Sequence, residues 1–123
     1  MTSNTKKTAI PVLSNKAMNK YMATRPMLVA GTAGFCGHCH KLYPELVKLS
    51  KMTDKTVATY AAYKHSQDMG ELGLKEVGMP IKEVIKGFPT ILLFNGKGGA
   101  AVYQGAREAG EMKTALDHFT NQK

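Results

Sequence analysis

The chain has no tryptophan and only two cysteines among its 123 residues. With no third thiol, no structural disulfide elsewhere competes for that pair. No stretch approaches the ~18 apolar residues that a membrane-spanning helix requires, which excludes such a span. Acidic side chains are missing from residues 1–44, where Lys6, Lys7, Lys16, Lys20, Arg25 and Lys41 stand alone. The other residues carry eleven basic and nine acidic side chains. Residues 1–44, which hold the cysteines, therefore carry +6 of the net charge of +8. There is no dense Lys/Arg cluster with interleaved aromatics, so the charge does not point to nucleic acid. Internal repeats and low-complexity stretches are absent. The lysines at Lys6 and Lys7 are not followed by an apolar run of signal-peptide length, and Thr120-Asn121-Gln122-Lys123 is not a retention signal. The expected location is the cytoplasm. A virus that makes its own disulfides there is one setting for such a chain.

What is present suits one domain over residues 1–123, with 1–7 as a flexible N-terminus. Residues 8–13 read as an edge strand, because Pro11 has no N–H to give to a sheet interior. Ser14 caps a helix over 15–24 with Ala17, Met18, Tyr21 and Met22 on its apolar face. Met27–Ala30 is an apolar run of buried-strand type. A helix over 37–52 places Leu42, Leu46, Leu49 and Met52 together, and Pro44 removes one of its backbone bonds. Residues 56–62 form the next strand. Val77, Ile81, Val84 and Ile85 have helical spacing, with Pro80 acceptable in a first turn. Gln67–Lys75 is a short helix or an ordered loop. Thr90–Phe94 and 100–104 are strands joined through the Asn95-Gly96 turn signal, and a helix over 108–121 closes the chain. The order β-α-β-α-β-α-β-β-α predicts an α/β fold with parallel strands early and an antiparallel hairpin late.

The chemistry lies in Cys36-Gly37-His38-Cys39. Two thiols at this spacing, after a strand and at the start of a helix, have the setting of a redox pair. Backbone N–H groups at the helix N-terminus favour an anionic sulfur at Cys36. A protonated His38 adds to that effect. Cys36 is thus the expected nucleophile, with a thiolate pKa below ~7 against ~8.5 for a free thiol.

Four segments in order resemble the thioredoxin fold, and within it protein disulfide isomerase-type domains. They are Cys36-Gly37-His38-Cys39, Pro44, Gly87-Phe88-Pro89-Thr90, and Tyr103-Gln104-Gly105-Ala106-Arg107 with Glu108 and Ala109. The likeness covers roughly residues 8–121. It implies a central mixed sheet of four to five strands with helices on both faces. It implies that Cys39 is the resolving thiol, that Pro89 is cis, and that Arg107 swings in to lower the Cys39 pKa. Phe35, Gly37, Phe88 and Pro89 would meet the substrate, a cysteine-containing protein, and a thiol reductant or oxidant would restore the pair. No cofactor beyond the Cys36–Cys39 disulfide is implied. An isomerase-like tetrad suggests a potential nearer ~−180 mV than thioredoxin's ~−270 mV.

The sequence departs from the family at Phe35, where Trp is common, at Ala30, where an acid is usually buried, and at Thr59, where thioredoxins carry a lysine. Losing both members of a buried charge pair is coherent, since a lone buried charge is expensive. Three other readings stand beside this one. Cys36-Gly37-His38-Cys39-His40 also fits a c-type haem attachment, with Met69, Met79 or Met112 as second axial ligand. Zinc would find two cysteine ligands but no second pair. A binding or chaperone module could carry the cysteines incidentally. His40, His65 and His118 read as helix-surface residues without a catalytic role.

Overall fold

The computed structural model describes residues 10–33, 36–62, 73–74, 79–80, 85 and 87–121. The elements in order are β1 (Val12–Leu13), α1 (Asn15–Met22), β2 (Pro26–Gly31), α2 (Gly37–Met52) and β3 (Thr56–Tyr60). Then come β4 (Gly73–Leu74), β5 (Met79–Pro80), β6 (Thr90–Asn95), β7 (Ala100–Tyr103) and α3 (Ala109–Asn121). Five strands form one sheet in the order β1-β3-β2-β6-β7, and β4 with β5 form a separate pair. β1, β3 and β2 run parallel, while β6 is antiparallel to both β2 and β7. This is the mixed α/β thioredoxin architecture.

Alternation along the strands divides the core into two layers. Met27 and Val29 of β2 join Ala58, Tyr60, Leu92 and Phe94 on one face, covered by Met18 and Met22 of α1. Leu28 and Ala30 join Val57, Ile91 and Leu93 on the other, covered by Leu42, Leu46 and Leu49 of α2 and Met112 and Leu116 of α3. β2 is buried on both faces, as its unbroken apolar run requires. No helix among the described residues is long and apolar enough to cross a membrane.

Local signals set several boundaries. Ser14 caps α1, its hydroxyl accepting the Ala17 N–H at 3.1 Å. α1 stops at Met22, two residues before the expected end; the Tyr21 carbonyl takes the N–H groups of both Thr24 and Arg25, and Pro26 has no N–H to continue the ladder. The phenol of buried Tyr60 donates to the Asn15 side-chain oxygen and ties α1 to β3. In the β6–β7 turn, Asn95 Oδ1 accepts the N–H groups of Lys97 and Gly99, both at 2.8 Å. Gly96 takes a positive φ there, and a Cβ at that position would meet Pro26 at 2.8 Å.

Three further expectations need correction. The first strand is shorter than 8–13, since among its described residues only Val12 and Leu13 pair as strand. Pro11 contributes its carbonyl alone, to the Thr59 N–H at 3.0 Å, as a residue without an N–H must. The strand expected over 56–62 ends at Tyr60, where the Ala62 N–H folds back onto the Tyr60 carbonyl. Pro80 does not open a helix. It lies in β5 opposite Gly73, with Met79 opposite Leu74. A two-residue strand end tolerates a missing donor as well as a helix start does. The rest of the expected helix, residues 81–84, lies outside the described residues, as does most of 63–75.

Candidate functional site

β2 ends at Gly31, and the chain passes Thr32 and Ala33 to reach Cys36 at the start of α2. Gly31 allows a close crossing, since a Cβ there would meet Ile85 Cδ1 at 3.1 Å. Cys36 is the N-cap of α2 and is joined to Cys39 as a disulfide with Cα atoms 5.3 Å apart. The Cys36 sulfur accepts the Cys39 N–H at 3.1 Å. The turn that begins at Cys36 brings the two side chains together, and the Cys39 N–H, one of the helix's first free donors, faces the Cys36 sulfur.

Both cysteines are 8% exposed, so burial does not distinguish them. Their surroundings do. The pair packs with Ala33 and against half-buried Phe88. Cys39, and not Cys36, also lines a cleft of about 290 Å³ with Thr32, His40, Tyr43, Leu46 and Thr59. Gly37 and His38 are exposed on the first turn of α2. A Cβ at Gly37 would meet nothing within 4 Å, so the fold itself does not demand glycine there. Phe35 lies outside the described residues.

The Phe88–Pro89 peptide bond is cis. Pro89 is buried just before β6, and the Thr90 hydroxyl donates to the Gly87 carbonyl at 2.6 Å. Pro89 also lines a second groove, of about 280 Å³, with Val102, Tyr103, Gln104 and Arg107. Arg107 is exposed there and does not line the cleft beside Cys39. Tyr103 donates its hydroxyl to the Ala106 carbonyl, and a Cβ at Gly105 would come within 2.6 Å of that hydroxyl. Partial burial pushes the Tyr103 phenol up, helped by the carboxylates of Glu111 and Glu108.

Two features had no signal in the sequence. Glu45 of α2 reaches the start of α3, where its Oε1 accepts the Ala109 N–H at 3.0 Å. That bond, with Lys48 at 3.0 Å, holds the Glu45 carboxyl below its usual range. The second is the cleft itself, where Thr59 of β3 and Val12 of β1 meet Cys39 and His40 of α2. Ala30 and Thr59 are register partners on adjacent strands, both buried. Among the described residues no three His, Cys, Asp or Glu side chains cluster in the manner of a metal site.

A five-stranded mixed sheet, flanking helices and a C-x-x-C disulfide at a helix start define a thioredoxin-fold domain. Residues 9–118 match the Thioredoxin family, and the chain belongs to it. Such a domain with such a disulfide supports thiol–disulfide oxidoreductase chemistry in general. Solved structures of similar fold include the J-Trx1 fragment of ERdj5, with a TM-score of 0.74 at 15% identity, covering 92% of this chain and 52% of that one. The Trx4 domain of ERdj5 aligns with a TM-score of 0.70 at 17% identity, over 92% of this chain and 96% of that one. The first thioredoxin domain of mouse protein disulfide-isomerase A4 gives 0.68 at 24% identity, over 89% and 74%. The chain thus spans about half of the J-Trx1 fragment. At these identities the likeness is one of fold. No curated protein matches the chain in sequence.

Proposed function

We propose that this chain exchanges its Cys36–Cys39 dithiol and disulfide with cysteine-containing protein substrates, with an isomerase-like redox poise. The observation that carries the proposal is the disulfide at the N-cap of α2, with the Cys36 sulfur held by the Cys39 N–H at 3.1 Å. In the reduced chain the same N–H groups and helix dipole favour a thiolate at Cys36. That thiolate attacks a substrate disulfide, forms a mixed disulfide and releases one substrate thiolate. Cys39 then loses its proton and attacks the Cys36 sulfur. The Cys36–Cys39 bond closes and the second substrate thiolate leaves, so two electrons pass to the substrate. The reverse sequence oxidises a substrate dithiol. A cellular thiol reductant or disulfide oxidant returns the pair to its starting state.

The remaining site residues take supporting roles. His38 adjoins Cys36 on the exposed turn and adds to thiolate stability when protonated. Phe88 and Pro89 offer backbone to an extended substrate segment, with Phe35 and Gly37 on the approach. Arg107 modulates the Cys39 pKa by moving out of its groove. Stabilising the thiolate stabilises the reduced form and raises the potential. Insulin reduction tests the activity, and Cys36→Ser should abolish it. Equilibration with glutathione tests the poise. The expected potential is near ~−180 mV, and a value below ~−270 mV would overturn that part. His38→Pro should lower it. Turnover unchanged in Arg107→Ala would remove Arg107 from the mechanism.

A further inference from the structure

The exchange reaction above requires a proton to leave Cys39, a thiol that is 8% exposed. On one side its neighbours are Ala33, Cys36 and Phe88, and none of them supplies a base once Cys36 is in a mixed disulfide. On the other side Cys39 opens onto the cleft of about 290 Å³. A water occupies ~30 Å³ of liquid volume, so that space holds several. His40, the residue after Cys39, lines the same cleft.

Among the described residues, the elements that wall the cleft offer no competing base. α2 contributes Tyr43, whose hydroxyl accepts the Ile10 N–H at 3.3 Å, and Lys41 is exposed beside His40. β1 contributes Val12, the segment after β2 contributes Thr32, and β3 contributes Thr59. No carboxylate is among the described residues lining it. Imidazole is the side chain that ordinarily changes charge between about pH 5 and 8, and His40 is the sole imidazole there among the described residues.

We infer that His40 is the proton acceptor for Cys39, acting through water held in this cleft. The inference rests on the exchange reading given above. In the resolving step the Cys39 thiol passes its proton through water to a His40 ring nitrogen. The Cys39 thiolate attacks the Cys36 sulfur, the mixed disulfide breaks, and the departing substrate thiolate takes up a proton from solvent. The imidazolium then returns its proton to water.

The two steps separate in a stopped-flow experiment with equimolar dithiobis(nitrobenzoate) and the reduced full chain. One thionitrobenzoate leaves when Cys36 is captured, and a second leaves when Cys39 resolves. A positioned acid–base group contributes ~10²–10⁴-fold. Allowing for solvent and buffer as substitutes, His40→Gln should slow the second release at neutral pH by on the order of tenfold. The first release and the melting temperature should not change, because the side chain is exposed. Added imidazole should restore the second phase in the variant and leave the wild type unaffected. A second phase equal in wild type and variant across the pH range would overturn the role of His40 and leave exchange intact. A wild type that gives the first release but never the second would overturn the exchange reading itself.

Discussion

Ala30→Asp is the sharpest probe of the sheet that carries the site. Ala30 is fully buried in β2, opposite Thr59 of β3 and Ile91 of β6. It faces the layer that contains Leu42 and Leu46. A carboxylate there leaves water for an apolar cluster, and such burial raises a carboxyl pKa by ~2–4 units above ~3.9. Each unit is ~1.4 kcal/mol, so the ionic penalty at neutral pH is roughly 3–4 kcal/mol. Overpacking adds ~1–3 kcal/mol that does not depend on pH. The sign follows from which state ionises first. The folded pKa lies above the unfolded one, so the unfolded chain loses its proton first as pH rises. The penalty is therefore absent in acid, starts above the unfolded pKa and levels off above the folded pKa.

Urea unfolding of wild type and variant at pH ~5 and ~7.5 should show a gap that widens by roughly 1–3 kcal/mol at the higher pH. Domains of this kind have only ~5–15 kcal/mol in total, so the comparison begins at the lower pH, where the variant is folded. Thr59→Lys completes a cycle. Its side chain lies on the same face as Ala30, directly across the parallel pair. Either charge alone is costly, and leaving one member of a buried pair unmatched costs ~3–5 kcal/mol. The double variant should therefore be more stable than the sum of the single losses by a similar amount. An Ala30→Asp loss equal at both pH values would mean that water reaches the position, and the reasoning from a sealed apolar layer would fail.

Three further outcomes follow from local geometry. Glu45 has its carboxyl depressed by the Ala109 N–H first and Lys48 second, so its contribution is present above the unfolded pKa and is lost as pH falls through the folded one. Glu45→Gln should lower stability at neutral pH and converge with wild type in acid; a pH-independent difference would detach Glu45 from the start of α3. Gly37→Ala meets no atom within 4 Å, so its melting temperature should hold or rise while insulin reduction slows. Full activity would remove Gly37 from the substrate path. Ser14→Ala removes the hydroxyl that accepts the Ala17 N–H and should cost ~1 kcal/mol in urea unfolding, with no change in redox potential.

The legible parts of this fold are those whose signals are local. α2 runs from Gly37 to Met52 because its start motif, its apolar positions Leu42, Leu46 and Leu49, and its exit at Thr53 are all written in adjacent turns. β2 and β6 are apolar runs, and Asn95-Gly96 marks the return from β6 into β7. The cysteines, Phe88 and Pro89 were visible for the same reason, as short motifs in a fixed order. Long-range partners decided what was not visible. β1 stops short because only Val12 and Leu13 find register with Thr59 and Tyr60. Pro80 fitted a helical spacing, yet its actual neighbour is Gly73. His40 looked like any helix-surface histidine. His40 follows Cys39 directly, yet the cleft that the two share is walled by Val12, Thr32 and Thr59 from three separate segments, and no spacing in the sequence encodes that convergence.

The position of the disulfide follows from the sheet order. β2 is the strand with a parallel neighbour on one side, β3, and an antiparallel neighbour on the other, β6. Ligand sites in open α/β sheets gather at such switch points, outside the strand ends. Here the ends of β2 and β3 meet at one edge, where Gly31 pairs with Tyr60. On the antiparallel side the same edge receives the beginning of β6, because Thr90 also pairs with Gly31. It also receives the end of β7, because Tyr103 pairs with Ile91. A wholly parallel sheet would place a strand exit where Phe88 and Pro89 now enter. The cysteines that follow β2 therefore stand between two unlike surroundings. The antiparallel side offers backbone and Arg107 beside Pro89, and the parallel side offers the cleft with His40 and Thr59. In the proposed reaction substrate contact and proton transfer occupy opposite flanks of one short bond. His40→Gln should therefore leave substrate capture unchanged, whereas Arg107, which reaches from one flank to Cys39, should couple the two.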